Sequence, residues 1–420
     1  MKLKPLIAAL AAGLVFPGVA GATNGYFSHG YGMKAKGMAG VGIALPQDAV
    51  AAATNPAGMA FVGNRLDLGI EIFRPIRDAS IAGNVCGPGC SLDGNYSGSG
   101  TKNFYVPEAG YNRMLNDRLA LGVSVYGNGG MNTTYKTNPF APFGASSPAG
   151  VDLVQLFVAP TLAYKITPDH AVGVSLNLAH QRFAMDGIEP FTASSGNPAK
   201  MTGNGDDDSS GWGVRVGWTG KVSPMVTLGA TYQSKTRMSR FKKYEGLFAE
   251  QGDFDIPANY GVGIAVQATP ALTIAADIQQ IDYSDVRSVG SPVAKLFAGN
   301  PFGSSDGPGF GWRDMTVFKL GASYQLNKNL VLRGGVSHGR QPIPSAETFL
   351  NTLAPGVIED HLTLGATWTL ANGHELTVGY MHAFKKTVNG SGSIPAPFGG
   401  GEANIKMYQD SLGVGYGIRM

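Results

Sequence analysis

The feature that most constrains this 420-residue chain is a run of alternating segments parted by two kinds of connector. Tight connectors carry turn chemistry: Asn116-Asp117, Thr167-Pro168-Asp169, Ser223-Pro224, Thr269-Pro270, Asn327-Lys328-Asn329 and Ala371-Asn372-Gly373. Long connectors, rich in Gly, Ser, Pro and Asn, fall near 77–103, 133–150, 187–210, 243–254, 286–311, 341–356 and 388–403. Short turns at one end and long loops at the other are the habit of outer-membrane barrels. Seven long and six short connectors separate 14 strands, an even number that leaves both termini on the periplasmic side.

The segments alternate as barrel strands do. Leu412, Val414, Tyr416, Ile418 and Met420 share one face, and Gly413, Gly415, Gly417 and Arg419 the other. Leu362, Leu364, Ala366, Trp368 and Leu370 alternate with Thr363, Gly365, Thr367 and Thr369. The apolar face is expected against lipid and the other toward the lumen. A mean hydropathy of -0.01 fits, because a barrel needs apolar residues at only every second position. A soluble β-sandwich also alternates, but it does not explain the connector asymmetry. A formal charge of +3 gives no basis for a nucleic-acid partner.

Met1–Ala22 reads as a cleaved export signal: Lys2 and Lys4, the apolar run Leu6–Val19, then the small residues Ala20-Gly21-Ala22. Export would place Cys86 and Cys90 in an oxidising compartment, where the Gly87-Pro88-Gly89 turn favours a loop disulfide. A free thiol pair is the alternative, and a zinc site lacks further ligands. Loop charges at Asp206-Asp207-Asp208 and Lys242-Lys243 suit solvent or, alternatively, lipopolysaccharide.

The least strand-like stretch precedes the strands. Leu45–Ala53 has Pro at an early helical position, Asp48 in the first turn and then good helix formers, so a helix is expected there, stopping near Thr54. Asn55 then caps a second turn begun by Pro56 and running through Met59. Taken alone, this pattern also fits a surface helix–turn–helix linker.

Gly25-Tyr26-Phe27-Ser28-His29-Gly30-Tyr31-Gly32, Lys36-Gly37-Met38-Ala39-Gly40, Asp48-Ala49 and Asn55-Pro56-Ala57 occur in order. Together they resemble the N-terminal hatch of the outer-membrane long-chain fatty-acid transporter family, which includes toluene and xylene uptake channels. The resemblance implies an all-β, 14-stranded antiparallel transmembrane barrel (65–420) with a hatch of short helices (23–64) in its lumen. It implies that Asn55, Pro56 and Ala57 fix the hatch, with no cofactor and no metal. It also implies that an inward kink in the third strand makes a lateral opening, at Gly127, Asn128, Gly129 and Gly130. Those glycines weaken a strand in their own right, or simply begin the next loop.

Parity turns Lys319, Arg333 and Arg215 inward, with Glu108 and Asp277. In the family, basic lumen residues hold a fatty-acid carboxylate. Lys319 and Arg333 fall near such positions, but the other basic ligand falls near Gly187, which shifts the reading toward a neutral hydrocarbon. These charges could equally pair with one another or with the hatch. Met33, Met38, Met59 and Phe61 suit an adaptable apolar pocket or plain packing, and Phe157, Phe183 and Phe73 are expected in the lumen.

The expected function is passive uptake of a hydrophobic small molecule by a monomer embedded in outer-membrane lipid and lipopolysaccharide. An adhesin or phage receptor could use the same barrel through its loops. A barrel hydrolase finds no support, since Ser28-His29 and Ser337-His338 are adjacent in sequence and no nucleophile, zinc or nucleotide motif appears.

Overall fold

The structure, a computed structural model, describes residues 24–420. The expected export signal lies outside the described residues. Fourteen strands form the wall: β1 (Arg65–Ala82), β2 (Phe104–Met114), β3 (Leu119–Asn132), β4 (Gly150–Lys165), β5 (His170–Asp186), β6 (Asp207–Ser223), β7 (Val226–Gln233), β8 (Asn259–Gln267), β9 (Leu272–Ile281), β10 (Met315–Asn327), β11 (Leu330–Gly339), β12 (Asp360–Thr369), β13 (Glu375–Val388) and β14 (Glu402–Arg419). Each pairs antiparallel with the next, and β14 pairs with β1, so the sheet closes. Closure removes the unpaired edges that hydrocarbon cannot solvate. Two short strands, Gly94–Ser97 and Arg237–Met238, sit outside the ring on β1 and β6.

Every tight connector falls between strands at one end of the barrel and every long one at the other, as the turn chemistry requires. The alternation is equally direct. Leu68, Ile70, Ile72, Leu412, Val414 and Tyr416 are exposed on the outer face, while Gly413, Gly415 and Gly417 between them are buried. Burial there comes from the N-terminal segment, 24–64, which packs inside the ring.

That segment explains the lumen glycines. A Cβ at Gly110 would lie 2.3 Å from the Ala49 backbone, at Gly173 2.4 Å from the Pro56 backbone, and at Gly229 2.3 Å from the Ile43 carbonyl oxygen. The wall is thin where the plug is close. Within the plug, the helix expected over Leu45–Ala53 is not formed. A single 3-10 turn, Ala51–Ala53, stands there instead. The reason is tertiary. The Ala49 N–H donates to Asp67 of β1 at 2.8 Å, and those of Gly42 and Ile43 donate to Asp277 of β9 at 2.8 and 3.1 Å. Barrel carboxylates thus serve the plug backbone in place of helical carbonyls. A short helix, Met33–Lys36, appears instead inside the glycine-rich run.

Candidate functional site

The site begins with an interruption in the wall. The β2–β3 ladder runs from Met114↔Ala120 to Glu108↔Tyr126 and stops, leaving 104–107 and 127–132 without each other. On its other side β3 stays paired with β4, but Asn128 is an extra residue between Gly127↔Leu156 and Gly129↔Gln155. Such a bulge bends its strand. The bend carries β3 onto the plug: Ser28 N–H donates to the Asn128 carbonyl (2.9 Å), and Gly130 N–H to the Tyr26 carbonyl (2.9 Å). A Cβ at Gly129 would sit 1.7 Å from the Tyr26 carbonyl oxygen, so this approach requires glycine. The Asn128 side chain donates to Gln155 (3.0 Å) and accepts from the Tyr31 hydroxyl (3.1 Å).

The Asn55-Pro56-Ala57 turn is anchored by one amide. Asn55 Oδ1 accepts from Ala57 N–H at 3.1 Å, which caps the 3-10 turn Pro56–Ala60. Its Nδ2 donates to the carbonyls of Ile43 (2.7 Å) and Trp218 (2.9 Å), joining the plug to itself and to β6.

The three cations expected to face inward all reach the plug. Lys319 Nζ donates to the His29 carbonyl (3.0 Å), Arg215 to the Thr54 carbonyl (3.0 Å), and Arg333 to Gln47 Oε1 (2.9 Å). In the other direction, Lys36 pairs with Glu71 (2.5 Å) and Glu108 (3.4 Å), and Lys34 with Glu375 (2.6 Å). These ions are almost wholly buried, where an unpaired charge is costly. Burial holds the His29 imidazole down at about 4, against the pull of Glu71. Burial, reinforced by Asp67, pushes the Asp48 carboxyl up to about 7.

The methionines pack. Met33 lies on Gly413 and Gly415, Met38 on Gly321 and Gly335, and Met59 on Gly122. Phe61 does not join them; it is 39% exposed, with Lys165 Nζ 5.2 Å from its ring centroid. Phe157 is buried against Tyr126, and Phe183 stands in a cluster with Phe241, Tyr244 and Phe248. Cys86 and Cys90 are bonded to each other.

Two apolar cavities lie above the plug. One, of about 40 Å³, is lined by Phe140, Met185, Phe191, Phe248, Phe302 and Phe310. The other, of about 30 Å³, lies beside the ladder break, among Phe73, Arg77, Phe104, Met131 and Trp312. Phe254 and Tyr26 bridge the two regions: Phe254 packs on Phe248 at 4.8 Å and on Tyr26 at 6.1 Å, and Tyr26 packs on Trp312 at 5.7 Å. Sequence reasoning missed Arg77, Phe104 and Trp312. Strand alternation could have found Arg77 and Phe104, since Arg77 shares the inward parity of Phe73.

Residues 20–394 match the family described as "Outer membrane protein transport protein (OMPP1/FadL/TodX)". The structure is similar to the toluene transporter TodX of Pseudomonas putida (TM-score 0.68, 18% identity, covering 93% of this chain and 99% of that one). It is similar to a FadL homologue of Pseudomonas aeruginosa (0.70, 18%, 93% and 99%) and to the toluene transporter TbuX of Ralstonia pickettii (0.64, 18%, 93% and 99%). No curated protein sequence matches the chain. The barrel, its plug and the family match agree, and the chain belongs to the FadL/TodX family of outer-membrane transport proteins.

Proposed function

We propose that this protein carries hydrophobic molecules into the outer membrane, through the apolar cavities beneath its loops and out sideways at the break between β2 and β3. The observation that carries this reading is the ladder itself. Asn128–Gly130 turn from β2 to the plug residues Tyr26–Ser28, so the wall is interrupted where the plug touches it. The straight route is filled: the plug is buried against inward residues around the ring. A sideways route also suits the cargo, because moving an apolar group into water costs about 0.8 kcal/mol per CH₂. TodX and TbuX are toluene transporters, which supports cargo of this class.

On this reading Asn55, Pro56 and Ala57 hold the plug, and Gly127, Asn128, Gly129 and Gly130 hold the opening. Lys319, Arg215 and Arg333 keep the plug seated rather than waiting empty for a ligand. Both cavities are small as they stand, so cargo must part their aromatic side chains.

The test is uptake of toluene and of oleate in cells lacking the protein, restored with the natural chain or with Asn128 deleted. Deleting the extra residue removes the bulge and lets β3 rejoin β2. Uptake is expected to fall by about tenfold or more while the barrel still inserts. Undiminished uptake overturns the side exit.

A further inference from the structure

The lipid-facing wall carries a groove on the far side of the ring from the β2–β3 break. Its volume is about 720 Å³, within the range of sites that hold a small molecule. Ile278 of β9, Phe318 and Leu320 of β10, Val336 of β11 and Phe384 of β13 line it, all exposed on the outer face. Strand backbone forms its floor. At its loop-side end Phe318, His338 and Asp360 are register neighbours, with His338 Nδ1 2.7 Å from Asp360 Oδ1.

Two belts of exposed aromatic rings set the depth of this groove. Tyr164, Tyr324, Trp368 and Tyr416 lie toward the tight-turn end, and Tyr105, Tyr232, Tyr260, Phe318 and Phe384 toward the loop end. Such belts mark the two interfaces of a bilayer, and the long-loop end faces outside. The groove therefore runs from the outer interface down into hydrocarbon.

Its outer rim is basic. Arg340 follows His338 with one residue between, and Lys385 follows Phe384 at a bulge in β13. Both are exposed, and among the described residues neither forms an ion pair or a side-chain hydrogen bond. The nearby carboxylates already have partners, Asp360 in His338 and Glu359 in Lys386. Arg313, Arg340, Lys385 and Lys386 outnumber Asp314, Glu359 and Asp360, so the rim is net positive even with His338 neutral. An apolar trough beneath unpaired cations fits a lipid with an anionic head: the trough takes an acyl chain, and the guanidinium offers a phosphate two parallel donors. The loop lysines differ. Lys243 Nζ already donates to the Asp206 carbonyl (2.6 Å), and its N–H to Asp207 (2.8 Å).

We propose that this groove binds lipopolysaccharide, with an acyl chain of its lipid A lying between Phe318 and Phe384 and a lipid A phosphate held by Arg340 and Lys385. The site is independent of the side exit, which lies in the opposite wall.

Native mass spectrometry of the full-length protein, delipidated in detergent, tests this. The probes are bisphosphorylated lipid A, the same lipid stripped of its phosphates, and phosphatidylglycerol. The natural protein is expected to bind bisphosphorylated lipid A about tenfold or more tighter than either of the others. Arg340→Gln with Lys385→Gln should remove that preference. Val336→Trp, which fills the trough, should weaken lipid A by about tenfold while heat-shifted gel mobility shows the barrel still folded. Lys242→Gln with Lys243→Gln should change nothing. Equal binding of phosphorylated and stripped lipid by the natural protein overturns the proposal, and so does phosphatidylglycerol bound as tightly as lipid A. A preference that survives Arg340→Gln with Lys385→Gln, or that Lys242→Gln with Lys243→Gln abolishes, overturns it too, as does undiminished binding in Val336→Trp.

Discussion

Two seams of the barrel make an instructive contrast. Where β14 meets β1 the chain closes on itself, and the ladder runs unbroken from Arg65↔Arg419 to Ala82↔Glu402. Where β2 meets β3, joined by a tight turn, the ladder stops at Glu108↔Tyr126. The connection most distant in sequence is continuous, and a local one is broken. Closeness along the chain therefore does not decide where the wall is weak. What differs is the partner offered from within. At β1 and β14 the plug presents Met33, a flexible side chain lying on Gly413 and Gly415. At β3 it presents its backbone, Tyr26 to Ser28, whose hydrogen bonds replace those of β2.

Gly129→Val is the substitution that most sharply tests this difference. Its Cβ would meet the Tyr26 carbonyl, and backbone cannot yield cheaply. Protection of the Ser28 amide against hydrogen exchange should fall by more than about a hundredfold, with the β14–β1 amides unchanged.

Lys36→Met is of comparable size. It leaves Glu71 and Glu108 buried without their cation, which should cost the seated plug about 3–5 kcal/mol, read from exchange of its amides.

The pH response comes third. Docked His29 titrates at about 4 and undocked near 6.5, so docking strengthens as pH rises through that window and is lost as pH falls. Docked Asp48 titrates at about 7 against an ordinary 3.8, so docking weakens as pH rises from about 4 to 7. The two slopes oppose and nearly cancel in the natural protein. His29→Gln should expose the falling slope, worth about 4 kcal/mol, and Asp48→Asn the rising one, worth about 3 kcal/mol, across the window by plug exchange.

Asn55→Ala follows. It strands the Ala57 N–H and the carbonyls of Ile43 and Trp218, and should weaken the 43–57 region by about 2 kcal/mol in the same measurement. The smallest effect belongs to the continuous seam. Gly413→Ala asks only the Met33 thioether to move, and should change plug protection by less than about 0.5 kcal/mol.

Much of the wall was legible because its signals are local. Turn residues mark each tight connector, and alternation orients Leu412 against Gly413 without knowledge of the fold. The plug was legible only in part. Asn55-Pro56 reads as a cap and a helix start from sequence, and the 3-10 turn follows. Leu45–Ala53 carries helical propensity, but Asp67 of β1 claims the Ala49 N–H within it, and Asp277 of β9 fixes Gly42 and Ile43 just ahead of it. Parity placed Lys319, Arg215 and Arg333 in the lumen but could not say that the plug occupies them. Arg77 was hidden for a different reason: the composition of 77–103 reads as loop, while β1 continues to Ala82.

The central claim is that cargo leaves through the wall between β2 and β3. Labelling with a photoreactive toluene analogue in intact outer membranes, mapped by mass spectrometry, tests it most directly. The account predicts adducts on Phe104, Val106 and Met131, which flank the break. Adducts confined to Met114 and Ala120 at the tight-turn end, and to Met59 of the plug beside them, would contradict it.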